Sequence, residues 1–369
     1  MSSARNILLT PGPIPVPEVV RQVMAEPIIH HRTPQYRQIF ERASERIKGV
    51  YLTKNPVYTI TGSGTSAMEA SIVNFHQVGD EILVVDGGKF GERWTDLANA
   101  FGLKANVLKI PYGQAVAPAQ IEAALKANPK IKSVCVELCE TSTCVLTDIK
   151  AIGNVVAKTE ALLIVDAISG LGADRMETDN WQVDLGVAGS QKALMLPPGL
   201  GFLSVSEKAK ARMKSANIPR FYLDLRLFEK ALKDWDTPFT PALTIVIGLN
   251  KALDLIEAEG IDNVFKRAER LGDFTRQKIK ALGLELFSKA PSATATAVVL
   301  PAGIDGEKLV KIMRDEKGIT MAGGQGEVKG KIVRIAHMGS ITQQDLEIGI
   351  QVLDETIKEL SGKLAVSGK

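Results

Sequence analysis

Cysteine is scarce in this sequence, and so is any excess of charge or any long apolar run. The 369 residues include three cysteines, too few for a disulfide framework, so a reducing compartment, the cytoplasm, is expected. The 45 basic and 42 acidic residues leave a net charge of +3 without a basic block, which gives no reason to expect a nucleic-acid partner. No apolar run approaches the ~20 residues of a membrane helix. The N-terminus lacks the apolar core of a secretory signal.

The three cysteines lie close together, which raises the question of a metal or cluster site. Cys135, Cys139 and Cys144 follow the pattern C-x3-C-x4-C, which matches neither the usual zinc spacing nor the common iron–sulfur runs. The first two fall in the strand-like run VCVELC, where cysteine behaves as a small apolar residue. The sequence therefore predicts packing for these thiols and no metal site.

The composition and the order of apolar runs predict a globular α/β protein with two domains. Hydrophobic residues make up 45% and charged residues 24% of the chain, an ordinary globular balance. Residues 1–20 carry repeated prolines and are expected to form an extended arm. Short runs that are apolar on both faces then alternate with helical segments, which predicts a parallel sheet covered by helices over residues 21–255. These runs are VYTI (57–60), EILVVD (81–86), SVCVELC (133–139), ALLIVD (161–166), DLGVAG (184–189) and GLGFLSV (199–205).

The last part of the chain predicts a smaller α+β domain over residues 256–369. Apolar residues recur at helical spacing over residues 243–256. A second helix is expected with Asp262 as its N-cap, and a third is expected to begin at Thr342 and to end at Gly362. Two strand-like runs lie between these helices, at 294–300 and 331–336.

A glycine-rich turn, TGSGTSA (61–67), connects the first strand to a helical stretch. This arrangement brings bare N–H groups, hydroxyls and a helix N-terminus together, as a phosphate site requires. The spacing Gly62-x-Gly64-x-x-Ala67 also satisfies the dinucleotide fingerprint, and Asp86 ends the next strand where a ribose-binding acid is expected. A phosphate cradle, an NAD-dependent oxidoreductase site and a plain tight turn all fit this segment.

Three charged residues distinguish between these possibilities. Lys192 follows the run DLGVAG among small residues, where burial of a lysine is costly unless it has a partner or a covalent task such as a Schiff base. Asp166 closes the run ALLIVD at a strand end, where α/β sheets place ligands. Arg334 lies among apolar strand residues and suits bidentate carboxylate binding. Each residue also fits a purely structural role. Lys192 could extend to water, Asp166 could cap the following turn, and Arg334 could be a surface arginine at a strand edge.

A series of motifs runs in order along nearly the whole chain. They are LLTPGPIPVP, HHRTPQYR, TGSGTSAMEA, GGKFGERW, ETSTCVL, VDAISGLG, GSQKALMLPPGLGF, TPFTP and VRIAHMG. With them the chain resembles the class V aminotransferases of the alanine–glyoxylate and serine–glyoxylate (serine–pyruvate) group, which are fold-type I pyridoxal-phosphate enzymes. The resemblance implies a large α/β domain with a mainly parallel seven-stranded sheet and a smaller C-terminal α+β domain, and it favours pyridoxal phosphate over NAD.

The resemblance also implies a role for each matching position. Lys192 would hold pyridoxal phosphate as an internal aldimine, Asp166 would pair with the pyridine nitrogen, and Arg334 would bind the substrate carboxylate with backbone near Gly12. The family works as a homodimer with the cofactor site at the subunit interface. The other cofactor-binding positions are Gly62, Ser63, Gly64, Thr65 and Gln191 at the phosphate, Phe90 on the ring, Thr141 near the ring hydroxyl, Thr237 and Thr240 at the partner's phosphate, and Ile168.

The implied reaction is amino transfer from alanine, serine or both to glyoxylate or pyruvate. Transamination of 2-aminoethylphosphonate and cysteine desulfuration use the same cofactor geometry and remain alternatives, although no cysteine follows Lys192. An NAD-dependent oxidoreductase and a non-catalytic accessory subunit are the alternatives from other classes. One position departs from the family, because relatives read S-T-G where this chain has Ser142-Thr143-Cys144. If that position requires a positive φ, cysteine is strained there.

Overall fold

The computed structural model describes residues 6–367, which form strands and helices. The strands are β1 (Ile7–Leu8), β2 (Val57–Gly62), β3 (Glu81–Asp86), β4 (Lys104–Lys109), β5 (Ile131–Glu137), β6 (Cys139–Glu140), β7 (Val145–Leu146), β8 (Leu162–Asp166), β9 (Leu185–Gly189), β10 (Gly199–Val205), β11 (Ala295–Val299), β12 (Ile319–Thr320), β13 (Ala322–Gly323) and β14 (Ile332–Ala336). The helices are α1 (Glu18–Met24), α2 (Pro34–Tyr51), α3 (Gly64–Val73), α4 (Lys89–Ala100), α5 (Pro118–Ala127), α6 (Ile149–Val156), α7 (Glu207–Arg212), α8 (Leu225–Leu232), α9 (Leu243–Glu259), α10 (Ile261–Ala281), α11 (Gly306–Asp315) and α12 (Gln343–Ser367).

The central sheet has seven strands in the order β2-β10-β9-β8-β5-β3-β4. Neighbours pair in parallel from β9 to β4, whereas β10 is antiparallel to both β2 and β9. Every residue of β8 and β9 is buried, because both faces of the sheet are covered, and this explains their continuous apolar runs. The prediction of an α/β fold with a mainly parallel seven-stranded sheet is confirmed.

The parallel pairing brings the carboxyl ends of β5, β8 and β9 to one edge of the sheet. Asp166 is the last residue of β8 and lies in register with Glu137, the last residue of β5. β9 ends at Gly189, only three positions before Lys192. The two residues that the sequence singled out therefore follow adjacent strands at the edge where such sheets bind ligands.

The C-terminal part contains the antiparallel sheet β11-β14-β13 together with α10, α11 and α12. Two predicted helix ends are wrong. α10 begins at Ile261 with Gly260 as its N-cap, so Asp262 lies in the first turn. α12 begins after Thr342, which exchanges capping hydrogen bonds with Asp345, but it continues through Gly362 to Ser367, since an interior glycine costs a helix only about 1 kcal/mol.

The N-terminal arm has no helix from residue 6 to Pro17, bends at residues 10–13 and lies against both parts of the molecule. β1 pairs with β12, the Ala336 N–H donates to the Leu9 carbonyl at 2.9 Å, and the Ile14 N–H donates to the Gln191 carbonyl at 3.2 Å. Helix α1 already begins at Glu18, inside the predicted arm, and residues 1–5 of that arm lie outside the described residues. The division at residue 255 stays a prediction, and it falls inside α9.

All three cysteines are buried free thiols. Burial raises the pKa of each thiol, that of Cys144 to about 12, so they remain neutral in the core. The packing interpretation is confirmed. Between residues 6 and 367 there is no group of three or more His, Cys, Asp or Glu side chains arranged to hold a metal ion. None of the helices in the same range combines the length and hydropathy that a membrane span needs.

Cys144 lies at φ 58°, in the left-handed region. A side chain there costs roughly 1–2 kcal/mol, whereas glycine in place of alanine costs the folded state only about 0.5–1 kcal/mol in backbone entropy. We therefore expect Cys144→Gly to be more stable than Cys144→Ala by about 0.5–1 kcal/mol, the reverse of the usual order. Urea unfolding of the two variants measures this, and a more stable alanine variant would refute the strain.

Candidate active site

A cavity of about 340 Å³ opens at the carboxyl edge of the central sheet. Most of the residues predicted to bind the cofactor or the substrate line it, whereas Gly62, Thr237, Thr240 and Arg334 do not. The predicted residues in the lining are Gly12, Ser63, Gly64, Thr65, Phe90, Thr141, Asp166, Ile168, Gln191 and Lys192. The lining also includes Pro13, Arg93, Cys139, Ser169 and Pro198, which the sequence did not single out.

The Lys192 side chain reaches into this cavity from the turn that follows β9. It is only 8% exposed, and its ammonium donates to the Pro11 carbonyl. Gly12 has φ 119°, and a Cβ at this position would overlap the end of the lysine side chain. Burial lowers the pKa of Lys192 to about 8, while the nearby Asp166 carboxylate opposes that shift. A lysine with this pKa is partly neutral near pH 8 and can act as a nucleophile and as a base.

The pKa of Lys192 predicts how fast the cofactor-free protein reacts with an aldehyde. The neutral amine is the reactive form, so the rate should rise with pH and reach half of its maximum near pH 8, well below the range of an ordinary lysine. Asp166→Asn should move the midpoint to lower pH, because the carboxylate raises the pKa of Lys192. Stopped-flow absorbance with pyridoxal phosphate measures both midpoints. A midpoint above pH 10 in the wild type would contradict the buried, perturbed amine.

Asp166 is buried at the end of β8, and its Oδ1 accepts a hydrogen bond of 2.8 Å from the Ile168 N–H. Burial raises the pKa of this carboxyl to about 6, and the Ile168 N–H and the charge of Arg93 oppose the shift. A protonated ring nitrogen placed beside Asp166 would favour the ionised carboxylate, and the carboxylate would in turn hold the proton on the ring. The local geometry therefore suits a cationic heterocycle.

The N-terminus of α3 supplies unused donors to the same cavity. Ser63 is the N-cap, yet its side chain makes no capping hydrogen bond, and a Cβ at Gly64 would lie 2.5 Å from Ile168. Gln191 also lines this cavity, and the N–H groups of its side-chain amide can donate to an anion. A phosphate group is the ligand that free helix N–H groups and hydroxyls bind best, so this end of the cavity fits the phosphate of pyridoxal phosphate.

Phe90 is held in place by the glutamate of the ETST motif. The Glu140 carboxylate accepts hydrogen bonds from the N–H groups of Phe90, at 3.2 Å, and Gly91, at 2.9 Å. It also accepts one from the Ser142 N–H at 3.0 Å. The bonds to Phe90 and Gly91 satisfy orphan donors in the first turn of α4 and fix the backbone at Phe90, whose side chain lines the cavity.

Arg93 is a cavity residue that the sequence reasoning missed. Its guanidinium lies over the Phe90 ring, 5.1 Å from the ring centre, and its Nη1 is 3.4 Å from the Thr65 hydroxyl. The helical signal was present, because residues three apart share one face of a helix, and Arg93 follows Phe90 by three positions on α4. Its positive charge helps to keep Asp166 ionised.

Ser169 is the second residue that the sequence reasoning missed. It lies in the turn after Asp166, lines the cavity, and its hydroxyl is 2.5 Å from that of Thr141. This contact connects the turn after β8 to the turn that carries Thr141, and both turns form part of the cavity wall.

Arg334 lies on β14, behind the wall that Thr141 forms. Its Nη1 donates to the Thr141 carbonyl at 2.9 Å, and its Nε and Nη2 donate to the Gly323 carbonyl at 3.0 and 2.8 Å. A guanidinium has five N–H groups, so one on each terminal nitrogen remains without a partner among the described residues. Burial lowers the pKa of Arg334, but a guanidinium keeps its charge in proteins. The side chain can therefore still offer a fork to a carboxylate.

Thr237 and Thr240 lie away from the cavity. The Thr237 hydroxyl donates to the Phe239 carbonyl at 2.8 Å, and both threonines line a small cleft beside Tyr222. Phe239 packs against Tyr222, with ring centres 5.0 Å apart. Their predicted role toward a partner subunit stays a prediction.

The sequence of this chain is similar to those of known proteins. The family model described as aminotransferase class-V matches residues 19–347. The small subunit of a soluble hydrogenase from a Synechococcus species is 39% identical over 96% of this chain and 94% of that protein. Serine–glyoxylate aminotransferase from Methylorubrum extorquens is 34% identical over 93% of this chain and 88% of that enzyme.

A solved structure shows the same architecture. The crystal structure of alanine–glyoxylate aminotransferase from a Nostoc species superposes with a TM-score of 0.93 at 27% sequence identity. The match covers 97% of this chain and 96% of that one. The described fold, including the sheet edge that carries the cavity, is therefore shared with a fold-type I enzyme.

Proposed function

The chain belongs to the class V aminotransferases, and on this basis we propose that it moves the amino group of a small L-amino acid, alanine or serine, to glyoxylate or pyruvate. The observation that carries the proposal is the joint placement of the Lys192 amine and the Asp166 carboxylate in one cavity. The names of its relatives support the substrates, since one acts on serine and glyoxylate and another on alanine and glyoxylate.

Pyridoxal phosphate is the cofactor of this family. When bound, its ring accepts the electron pair that is released at the substrate α-carbon. We propose that Ser63, Gly64, Thr65 and Gln191 hold its phosphate, that Phe90 lies on its ring and that Lys192 holds its aldehyde carbon. The cavity fits this assignment, because uncapped helix donors lie at the α3 end of the cavity and Asp166 lies near the amine.

Each of the three charged residues then has one task. Lys192 would hold the aldehyde end of the bound cofactor, and its amine, when free, would take the proton from the substrate α-carbon and later give it back. A pKa near 8 suits this exchange at neutral to mildly alkaline pH. Asp166 holds a proton on the pyridine nitrogen by its negative charge. Arg334 binds the α-carboxylate and so orients the Cα–H bond toward the amine.

Arg334→Ala should chiefly weaken substrate binding. Loss of a charge-assisted pair worth roughly 1.5–3 kcal/mol predicts a rise of about 10- to 100-fold in KM for alanine or serine, with a smaller change in kcat. Arg314, an exposed arginine of α11 that pairs with Asp315, is the matched control, and Arg314→Ala should leave KM unchanged. If KM for the amino donor is the same in Arg334→Ala as in the wild type, Arg334 does not bind the carboxylate.

We also propose a homodimer with the cofactor site at the subunit interface, in which Thr237 and Thr240 reach the phosphate of the partner subunit. Thr240 is exposed, and the adjacent aromatic residues Phe221 and Tyr222 beside this region expose 74% and 42% of their surface, as contiguous apolar side chains at interaction sites do. A cytoplasmic location is proposed from the three free, buried thiols.

The proposed substrates are tested by a donor panel. Purified, cofactor-loaded protein is assayed with alanine, serine, aspartate, 2-aminoethylphosphonate and cysteine as donors against glyoxylate and pyruvate. The proposal predicts that alanine or serine gives the highest kcat/KM with one of the two acceptors. Preference for aspartate or 2-aminoethylphosphonate would replace the proposed donor, sulfide release from cysteine would indicate desulfuration, and no transfer from any donor would favour an accessory role.

A further inference from the structure

We propose that Asp174 is a positioning residue that sets the location of Arg334 relative to Lys192 and Asp166. It does so by clamping residues 292–294, the segment that leads into the strand pairing with β14. The inference rests on the carboxylate-binding role proposed above for Arg334. It goes beyond that role, because Asp174 is not among the residues that line the cavity.

Asp174 lies in the loop that follows β8, a short way beyond Asp166, and is only 4% exposed. Its Oδ1 accepts a hydrogen bond of 2.7 Å from the Ala293 N–H. Its Oδ2 accepts bonds from the Ser292 hydroxyl at 2.7 Å and the Thr294 hydroxyl at 2.8 Å. Three consecutive residues of a distant segment therefore converge on one buried carboxylate, and such satisfied networks fix geometry as well as stability.

The clamped segment determines where β14 lies. β11 begins at Ala295, directly after Thr294, and pairs with β14 so that Ala297 is opposite Arg334. Just past the end of β14, the His337 N–H donates to the Thr294 carbonyl at 3.1 Å, and its ring Nδ1 lies 2.9 Å from the Ala293 carbonyl. The strand that carries Arg334 is thus tied to residues 292–294 through its main chain.

The cavity side of Arg334 is tied to the same loop. Thr294 Oγ1 is also 3.3 Å from the Ser169 carbonyl. The Ser169 hydroxyl is 2.5 Å from that of Thr141, whose carbonyl accepts a bond from Arg334. These contacts connect Asp174 to Arg334 through Thr294, Ser169 and Thr141. Loss of the Asp174 hydrogen bonds should therefore loosen Arg334 at two points. One is the pairing of β14 with β11, and the other is the bond from Arg334 to the Thr141 carbonyl.

A guanidinium binds a carboxylate in two parallel hydrogen bonds, and a displacement of ~1 Å can cost about 100-fold in a reaction that depends on orientation. The expected signature is therefore weaker carboxylate binding with an intact cofactor site. A merely structural role would instead reduce stability and cofactor affinity together.

Thr294→Val and Thr294→Ser form the critical pair. Valine keeps the shape of threonine and removes the hydroxyl, whereas serine keeps the hydroxyl. Thr275→Val is the matched control, because Thr275 is a fully buried threonine of α10 whose hydroxyl bonds only to the Leu271 carbonyl among the described residues. Asp174→Asn tests the carboxylate itself, and the threonine pair decides the question if that variant does not fold.

The readouts on the holoenzyme are the dissociation constant of propionate, from the change in visible absorbance, KM and kcat for alanine or serine, and the dissociation constant of pyridoxal phosphate. Thr294→Val and Asp174→Asn should raise the propionate constant and KM by about tenfold and leave cofactor affinity unchanged. Thr294→Ser should restore wild-type values, and Thr275→Val should not change them.

Two results would overturn the positioning role. One is a propionate constant in Thr294→Val equal to that of the wild type, and the other is a parallel loss of cofactor affinity in Thr294→Val and Asp174→Asn. The proposed function fails separately. A wild type that binds propionate but transfers no amino group would overturn the aminotransferase substrates while the propionate measurements still decide the role of Asp174.

Discussion

Replacing Lys192 by alanine is expected to lower amino transfer by at least about 10³-fold. General acid–base catalysis alone contributes roughly 10²- to 10⁴-fold, and this side chain also provides the covalent attachment of the cofactor. No second lysine is among the residues that line the cavity, so no neighbour in the described chain can take over. The measurement is single-turnover conversion of alanine or serine by the cofactor-loaded variant.

Lys192→Arg is the control for charge. Arginine keeps the positive charge at this position, but its guanidinium stays protonated and forms no Schiff base at neutral pH. It should be as inactive as the alanine variant, which would separate the chemistry of the amine from its electrostatic effect. Ordinary turnover by either variant would contradict the assignment of Lys192.

Replacing Asp166 by asparagine is expected to slow proton transfer by about 10²- to 10³-fold, the usual effect of removing one preorganised electrostatic partner. Asparagine keeps the size of the side chain and can still accept the Ile168 hydrogen bond, so the turn should persist. Without the negative charge the ring nitrogen loses its proton more easily, and the electron sink weakens. Pre-steady-state kinetics with a donor deuterated at the α-carbon isolate this step.

Asp86 offers a matched control for Asp166. It is also a buried carboxylate at the carboxyl end of a strand of the same sheet, but it pairs with Lys109 and does not line the cavity. Asp86→Asn should retain amino-transfer rates close to the wild type. Equal losses in the two variants would indicate that any buried acid at this edge matters only for folding.

The sequence predicts much of the site because a parallel sheet gathers strand ends. Asp166 is the last residue of β8, Lys192 follows β9, and these strands are neighbours. The order of the apolar runs in the sequence therefore places both side chains at the same edge of the sheet. The dinucleotide interpretation of the glycine turn is wrong for this family. The acid that it required, Asp86, is held by the Lys109 ammonium.

Other features were outside the reach of local patterns. Gly362 and Asp262 have the chemistry of helix ends, but α12 continues through Gly362 and Gly260 takes the N-cap position of α10, since an interior glycine costs a helix only about 1 kcal/mol and glycine is itself accepted at an N-cap. Asp174 and residues 292–294 are more than a hundred positions apart in the chain. Only the folded geometry joins them, because no periodicity or motif relates a loop of one sheet to the start of a strand in another.

The most direct test of the account is to locate the covalent bond between protein and cofactor. The holoenzyme is reduced with borohydride and digested, and the peptides are analysed by mass spectrometry. A single pyridoxyl group is expected on the Nζ of Lys192, in the peptide that contains GSQKALM. A pyridoxyl group on a different lysine, or reduced protein without any label, would contradict it.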